Sequence, residues 1–291
     1  MSWEGQATGV TFQFFQWILS YKRQFETDNL MFCFEGGSLY RNNIYPEYKA
    51  SRRKDESKLT EEEKNAYSEL HGQIVELRRR WLLKMGFKNV ITYRGYESDD
   101  VMAAFAKNTK DEVILVTSDE DLYQCLEGDR VVMYSPHKKT FYTEKALMEE
   151  YGVKPKQWAL VKALAGCAGD NVEGLKGIGE RTACKFLRGE LNPTSKVYEI
   201  IKSEKAKEVV RRNRPLVELP YKNCPIPDPK EDEVTVEKWD EVCDQLGMIS
   251  LLGFGTGRAR RSVSVPATAP KKKGEKLKKY NAEQFELGFD V

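Results

Sequence analysis

The sequence predicts an α/β fold: a mostly parallel sheet with flanking helices, followed by a helical subdomain. Three observations predict it. Over roughly residues 1–152, short apolar runs alternate with amphipathic stretches of helix length, the pattern of βαβ units and a parallel sheet. Over 153–253 only helical periodicity remains. Over 254–291 the composition turns to Gly, Pro, Ser and many basic residues, too polar to collapse, so a disordered basic tail is expected there.

The elements follow in order. "TGVTFQFFQWILSYKRQF" (8–25) has the broad apolar face of a helix. "NLMFCF" (29–34) is a short apolar run feeding Glu35-Gly36-Gly37, hence a buried strand and a loop. The charged stretch 45–67 is too polar to be core, and helix is expected through 69–87. "NVITYRG" (89–95) reads as a strand, and "SDDVMAAFAKN" (98–108) as a helix with Ser98 as N-cap. "EVILVTSDEDLYQCL" (112–126) repeats strand, acidic turn and helix, and "DRVVMYSP" and "KTFYTEKAL" add two strands and a helix start. Four further helices are expected in "KPKQWALVKALAG", "GERTACKFLRGE", "TSKVYEIIKSEKAKEVVRRN" and "TVEKWDEVCDQLGM".

The 291 residues carry 47 basic against 45 acidic side chains, a net charge of +2, so an argument for a charged partner has to be local. Six cysteines without a C-x-x-C pair, and no signal-like start, point to reduced thiols in a cytoplasmic protein with no membrane segment. With only His71 and His137 available, both in polar surroundings, a zinc site or a Ser-His-Asp triad has little to draw on. Carboxylates are left as the reagents.

They are crowded. Glu97, Asp99 and Asp100 fall within four positions just past a strand; Asp119 and Asp121 follow another, and Glu35 a third. In an α/β sheet the ligand site lies beyond the carboxyl ends of the strands, so three acidic turns converge on one edge. Asp and Glu also favour helix N-termini for the dipole alone. Three such turns together repel one another unless a cation relieves them. Oxygen-only donors suit Mg²⁺, and two ions about 3.5–4 Å apart clamp the attacking and leaving oxygens of a phosphodiester. Asp170, from the helical part, joins this candidate set.

Two further motifs suit nucleic acid. Gly177-Ile178-Gly179 lies in a turn between helices, where glycines let backbone N–H groups approach a phosphate, with Arg181 and Lys185 close by. The rival reading is a plain tight turn. Tyr48, Lys49, Arg52 and Arg53 in "YPEYKASRR" place an aromatic beside cations, suited to a single strand; the rival is a solvated charged helix.

In order and spacing, "CFEGG…YPEYKASRR", "GYESDDVMAAFA", "VTSDEDLYQCL" and "GDNVEGLKGIGERTACKFL" resemble the 5′-nuclease family: the 5′-3′ exonuclease domain of bacterial DNA polymerase I and the phage flap endonucleases. The resemblance covers most of residues 5–253. It implies a PIN/5′-nuclease-like fold with a helix–three-turn–helix DNA-binding subdomain, acting as a structure-specific 5′-3′ exonuclease/flap endonuclease on branched or RNA-primed DNA. Mg²⁺ would be the cofactor, two ions, with Mn²⁺ as substitute. Glu97, Asp99 and Asp100 would serve the first ion and Asp119, Asp121 and Asp170 the second, with Glu35 alongside. Lys49 and Arg52 would contact the scissile phosphate at the base of a helical arch over about 45–80, with Tyr48 stacking on a base. Gly177, Ile178, Gly179, Arg181, Thr182 and Lys185 would grip duplex DNA, with K⁺ in the hairpin.

Three departures stand out. The family's opening strand, ending in Asp, is expected to be missing, leaving its neighbours in the sheet unpaired. Glu35 replaces an Asp, and Cys167 stands where a second Asp is usual; a neutral thiol is a poor Mg²⁺ ligand. The alternative function is therefore a non-catalytic protein that binds branched DNA on the same scaffold. A ribonuclease of the same class is disfavoured by the glycine hairpin. In the tail, Gln284, Leu287 and Phe289 resemble the short peptides that dock on the replication sliding clamp. The expected protein is a monomer of a bacterial or phage-infected cytoplasm.

Overall fold

The computed structural model describes residues 2–52 and 59–253. Arg53, Gln284, Leu287 and Phe289 lie outside the described residues.

The chain opens with a hairpin the sequence did not announce, β1 (Ser2–Trp3) and β2 (Gln6–Ala7), turned by Glu4 and Gly5 at φ 48° and 80°. Two consecutive positive φ values suit the turn between twisted strands. α1 (Gly9–Gln24), β3 (Phe32–Cys33) and α2 (Leu39–Ile44) follow. Of the stretch expected as an arch, Ala50–Arg52 is a tight helical turn and α3 (Glu61–Glu76) a regular helix. α3 starts earlier than its apolar periodicity suggested. Thr60 accepts from the Glu63 N–H while the Glu63 carboxylate accepts from Thr60 N–H, a reciprocal cap that satisfies two free donors. The helix widens over Leu77–Trp81 and ends in α4 (Leu82–Lys84).

β4 (Val90–Ile91) leads to α5 (Ser98–Asn108), whose N-cap is Glu97 rather than Ser98. β5 (Val113–Val116) leads to Asp119, which caps the helical turn Glu120–Cys125. β6 (Val131–Ser135), β7 (Thr140–Tyr142), α6 (Glu144–Tyr151) and α7 (Pro155–Ala165) come next, α7 with proline in its first turn, where no N–H is missed. A small hairpin, β8 (Gly166–Cys167) and β9 (Val172–Glu173), precedes α8 (Glu180–Leu187). The long basic stretch expected as one helix breaks at Ser203 into α9 (Lys196–Lys202) and α10 (Glu204–Val217); α11 (Val236–Gln245) is the last. Among the described residues no helix is long and apolar enough to cross a membrane.

The α/β class holds, with parallel pairing of β3 with β4 and of β5 with β6, and β7 antiparallel on β6. The two parallel ladders are separate rather than one continuous sheet. The described residues form two compact units that interleave along the chain instead of dividing near residue 152: one of residues 2–34, 59–92 and 227–253, the other of 35–52 and 93–226. The first is organised by a core of Phe15, Leu77, Trp81, Leu82, Met85 and Trp239, so its last helix packs with its first. The second gathers Trp158, Leu122, Tyr123, Leu147 and Val161 with α8 and α10. Every sequence-predicted site residue that is described belongs to this second unit.

Candidate metal and phosphate site

The site is assembled by backbone contacts between loops. Gly36 donates to the Tyr96 carbonyl at 3.0 Å and accepts from Gly95 N–H at 2.8 Å, and a Cβ at Gly36 would overlap the Tyr93 carbonyl. Only glycine permits that approach. It sets Glu35 beside α5, where its Oε2 accepts from Ser98 N–H at 3.2 Å. On the β5 side, Thr117 N–H donates to the Tyr134 carbonyl, and Thr117 Oγ1 accepts from Asp119 N–H at 3.1 Å, fixing the turn that carries Asp119 and Asp121.

The carboxylates have different fates. Asp100 is fully buried; Arg41 grips both its oxygens at 2.6 and 2.8 Å, and the N–H groups of Glu97 and Tyr221 donate to them at 3.0 and 2.7 Å. Asp100, expected as a metal ligand, is tied here into a network that holds α2, α5 and the loop after α10 together. Arg41 also donates to the Leu216 carbonyl at 2.9 Å.

Glu97, buried as well, accepts from Lys49 Nζ at 2.5 Å, from Tyr48 Oη at 3.0 Å and from Ser38 Oγ. Burial alone would raise its pKa, but Lys49, Ser38 and Arg41 outweigh it and hold the carboxyl below the usual range. Asp170 Oδ1 pairs with Arg52 at 2.5 Å. Lys49 and Arg52 thus both lie against the carboxylates of the site. Lys49 does so from a left-handed backbone, φ 54°, pinned by its N–H to the Asp170 carbonyl at 2.9 Å.

Tyr48 is a second case. Expected to stack on a base, it is 2% exposed, its ring in the hydrophobic core and its hydroxyl between Glu97 and Asp170 at 3.0 and 3.4 Å. Burial, then the Glu97 charge, raise its pKa, so it stays a donor.

Asp99 and Asp119 differ from the rest. Among the described residues no Lys or Arg nitrogen stands within ion-pair distance of either. Burial, then the charges of Asp119 and Glu97, push the Asp99 carboxyl up to about 7. Asp121 is raised too, by burial first, although Lys162 Nζ lies 2.9 Å from its Oδ1. That contact is an ion pair off the hydrogen-bonding direction, for the buried Oδ1 accepts no hydrogen bond. As placed, no three His, Cys, Asp or Glu side chains among the described residues converge to hold a metal ion, because Lys49, Arg52 and Lys162 draw carboxylates to themselves. The donor set around the half-buried Asp99 and the exposed Asp119 nonetheless fits a hard divalent cation: it is oxygen-only, crowded with carboxylates and open to an ion from solution.

In the hairpin, Gly177 sits at φ 80° and Gly179 caps α8; a Cβ at either would meet nothing within 4 Å. Ile178 is buried and its N–H donates to the Leu175 carbonyl, so it anchors the turn. Arg181 is exposed, 3.5 Å from Glu150; Lys185 is exposed and Thr182 half-buried. Reading the sequence missed Ser38, Arg41, Lys162 and Glu180. Lys162, a lone cation inside the apolar run "WALVKALAG", was the one detectable signal.

An α/β core with acidic strand ends, an adjoining Lys–Arg pair and a glycine hairpin between helices defines the 5′-nuclease class. The family model described as 5′-3′ exonuclease, N-terminal resolvase-like domain, matches residues 1–152. The chain belongs to that family. DNA polymerase I of Mycobacterium leprae is 30% identical over 254 residues, 81% of this chain and 26% of that one. Thermostable DNA polymerase I of Thermus thermophilus is 36% identical over 177 residues, 59% of this chain and 19% of that one. The chain thus spans about a fifth to a quarter of the length of these curated relatives. Among solved structures, the T5 D15 protein co-crystallised with metal ions is 25% identical with a TM-score of 0.62, covering 82% of this chain and 91% of that one. The zinc-bound T5 5′-exonuclease has the same fold, with a TM-score of 0.62 at 24% identity over 85% of this chain and 91% of that one.

Proposed function

We propose that the chain is a divalent-metal-dependent 5′ nuclease that hydrolyses phosphodiester bonds of branched or RNA-primed DNA at a 5′ flap or 5′ end. The observation that carries this is the pair Asp99 and Asp119, short of counter-charge beside Lys49 and Arg52. Membership of the 5′-3′ exonuclease family and the metal-bearing T5 relative support it.

Asp99, Asp119 and Glu97 are the residues suited to hold Mg²⁺ or Mn²⁺, with Glu35 alongside. A cation there supplies charge neutralisation and Lewis acidity toward a phosphate oxygen. The protein's own groups position the substrate. Lys49 and Arg52 exchange their carboxylate partners for phosphate oxygens, a charge-assisted contact of the same kind. Tyr48 Oη keeps Glu97 oriented, and Arg41 holds the start of α5 in place through Asp100. The N–H groups of Gly177 and Gly179, with Arg181, Thr182 and Lys185, bind duplex phosphates, and K⁺ in this hairpin would serve the same contact.

The test is cleavage of a 5′-flap oligonucleotide with Mg²⁺, with Mn²⁺ and with excess chelator. Asp119→Asn should lower the rate by more than about 100-fold while flap binding persists, since a ligand is lost and no phosphate donor. Cleavage surviving in chelator would overturn the proposal. Tight flap binding with no cleavage by the wild type under any divalent ion would favour the binding-only reading, for which Cys167 speaks.

A further inference from the structure

The residues that the resemblance assigns to a second metal ion already face cations of the protein. Asp121 lies 2.9 Å from Lys162 Nζ, and the same ammonium is 2.9 Å from Glu180 Oε1. Asp170 pairs with Arg52 and accepts from Tyr48. Cys167 brings a thiol where a charged carboxylate was expected.

The two cations are not equivalent. Arg52 has a side chain 58% exposed, so it can leave Asp170 for a phosphate. Lys162 is 12% exposed. It rises from α7 between Val161 and Ala163, both fully buried, and bridges two carboxylates from different elements. Leaving would strand Asp121 and Glu180 without their shared cation. A divalent ion entering beside it would meet a fixed positive charge, one carboxylate fewer than usual, and an Asp121 already paired with an ammonium. Around Asp99 and Asp119 carboxylates crowd: among the described residues neither is within ion-pair distance of a lysine or arginine, and Lys49 only partly offsets the upward shift of Asp99.

We infer that this chain binds a single divalent ion, at the Asp99 and Asp119 side of the site, and that the Lys162 ammonium is the built-in cation of the position where a second ion was expected. This rests on the metal-dependent reading above. Cys167 is the matching change: with Lys162 supplying the charge, a neutral residue there leaves the local balance even.

The test counts bound Mn²⁺ on the full chain by titration, reading free Mn²⁺ by electron paramagnetic resonance and heat by calorimetry. The wild type should bind one ion. The double variant Lys162→Met with Cys167→Asp should bind two, its fold checked by circular dichroism. Should that variant not fold, Cys167→Asp alone decides: with Lys162 in place it should still bind one. Two ions on the wild type or on Cys167→Asp, or a single ion on the folded double variant, would overturn the inference while leaving metal dependence intact. No ion on the wild type at millimolar Mn²⁺ would overturn the metal-dependent reading itself.

Discussion

Arg41 and Asp100 form an ion pair with side chains 2% and 0% exposed, in which the carboxylate accepts four hydrogen bonds. Removing one partner leaves the other buried and unpaired, so Arg41→Ala should cost roughly 3–5 kcal/mol, read as a lower urea midpoint. Arg41→Lys should recover only part, since an ammonium cannot match the two-pronged contact. An unchanged midpoint in Arg41→Ala would remove the structural role given to Asp100. Asp99 is the opposite case. Its folded pKa of about 7 lies above the unfolded value of about 3.9. The folded state holds the proton more tightly, so in metal-free buffer stability should fall as pH rises from about 4 to about 7, by on the order of 2–4 kcal/mol. Asp99→Asn should flatten that fall and raise the metal-free Tm at pH 7.5. A steeper fall in the variant would show that Asp99 is not the strained group.

At the scale of elements, the hairpin of Gly177 and Gly179 divides its tasks cleanly. Gly177 needs its positive φ, whereas Gly179 at φ −97° has a conformation open to any residue, and space for a side chain. Gly179→Val should therefore fold with a Tm within a few degrees of the wild type. It should weaken binding to duplex-bearing DNA about tenfold or more and spare single strands, because only close backbone approach is lost. Equal loss on both substrates would exclude the hairpin as a duplex contact. The same scale explains the shortness of the strands: β3 and β4 pair over two residues each before their loops turn into the site. Strand-like stretches of six or seven residues were expected there; the pairing continues only in the bonds of Phe32 N–H to the Asn89 carbonyl and Phe34 N–H to the Ile91 carbonyl before the loops begin.

For the whole molecule, a cation that binds the folded chain and not the unfolded one raises its stability by mass action. Mg²⁺ or Mn²⁺ at about 100 times its Kd should add roughly 2.7 kcal/mol at pH 7.5, visible as a rise in Tm that chelator reverses. Asp99→Asn should blunt this response. The C-terminal stretch makes a separate prediction. From residue 254 onward there are nine Lys and Arg against four acids, with Gln284, Leu287 and Phe289 at the end. Deleting 282–291 should abolish pull-down of a bacterial sliding clamp and leave cleavage of short oligonucleotides unchanged. Clamp capture by the shortened chain would mean the motif match was chance.

The alternation of strand and helix, the acidic turns after β3, β4 and β5, and the glycine hairpin before α8 were all legible in the sequence. Each depends on local chemistry: apolar periodicity, the crowding of like charges, the φ freedom of glycine. What each acidic residue does was not legible, because that depends on partners distant in sequence. Asp100 meets Arg41 across 59 positions and Tyr221 across 121, and Tyr48 meets Asp170 across 122. The sequence by itself determined that carboxylates gather at one end of an α/β core. Only the tertiary structure decided that Asp100 is a buried strut, that Tyr48 is a core donor, and that Lys162 pairs with Asp121. The physical reason is that a carboxylate's role is set by whether burial brings it a cation of the protein or leaves it to recruit one from solution.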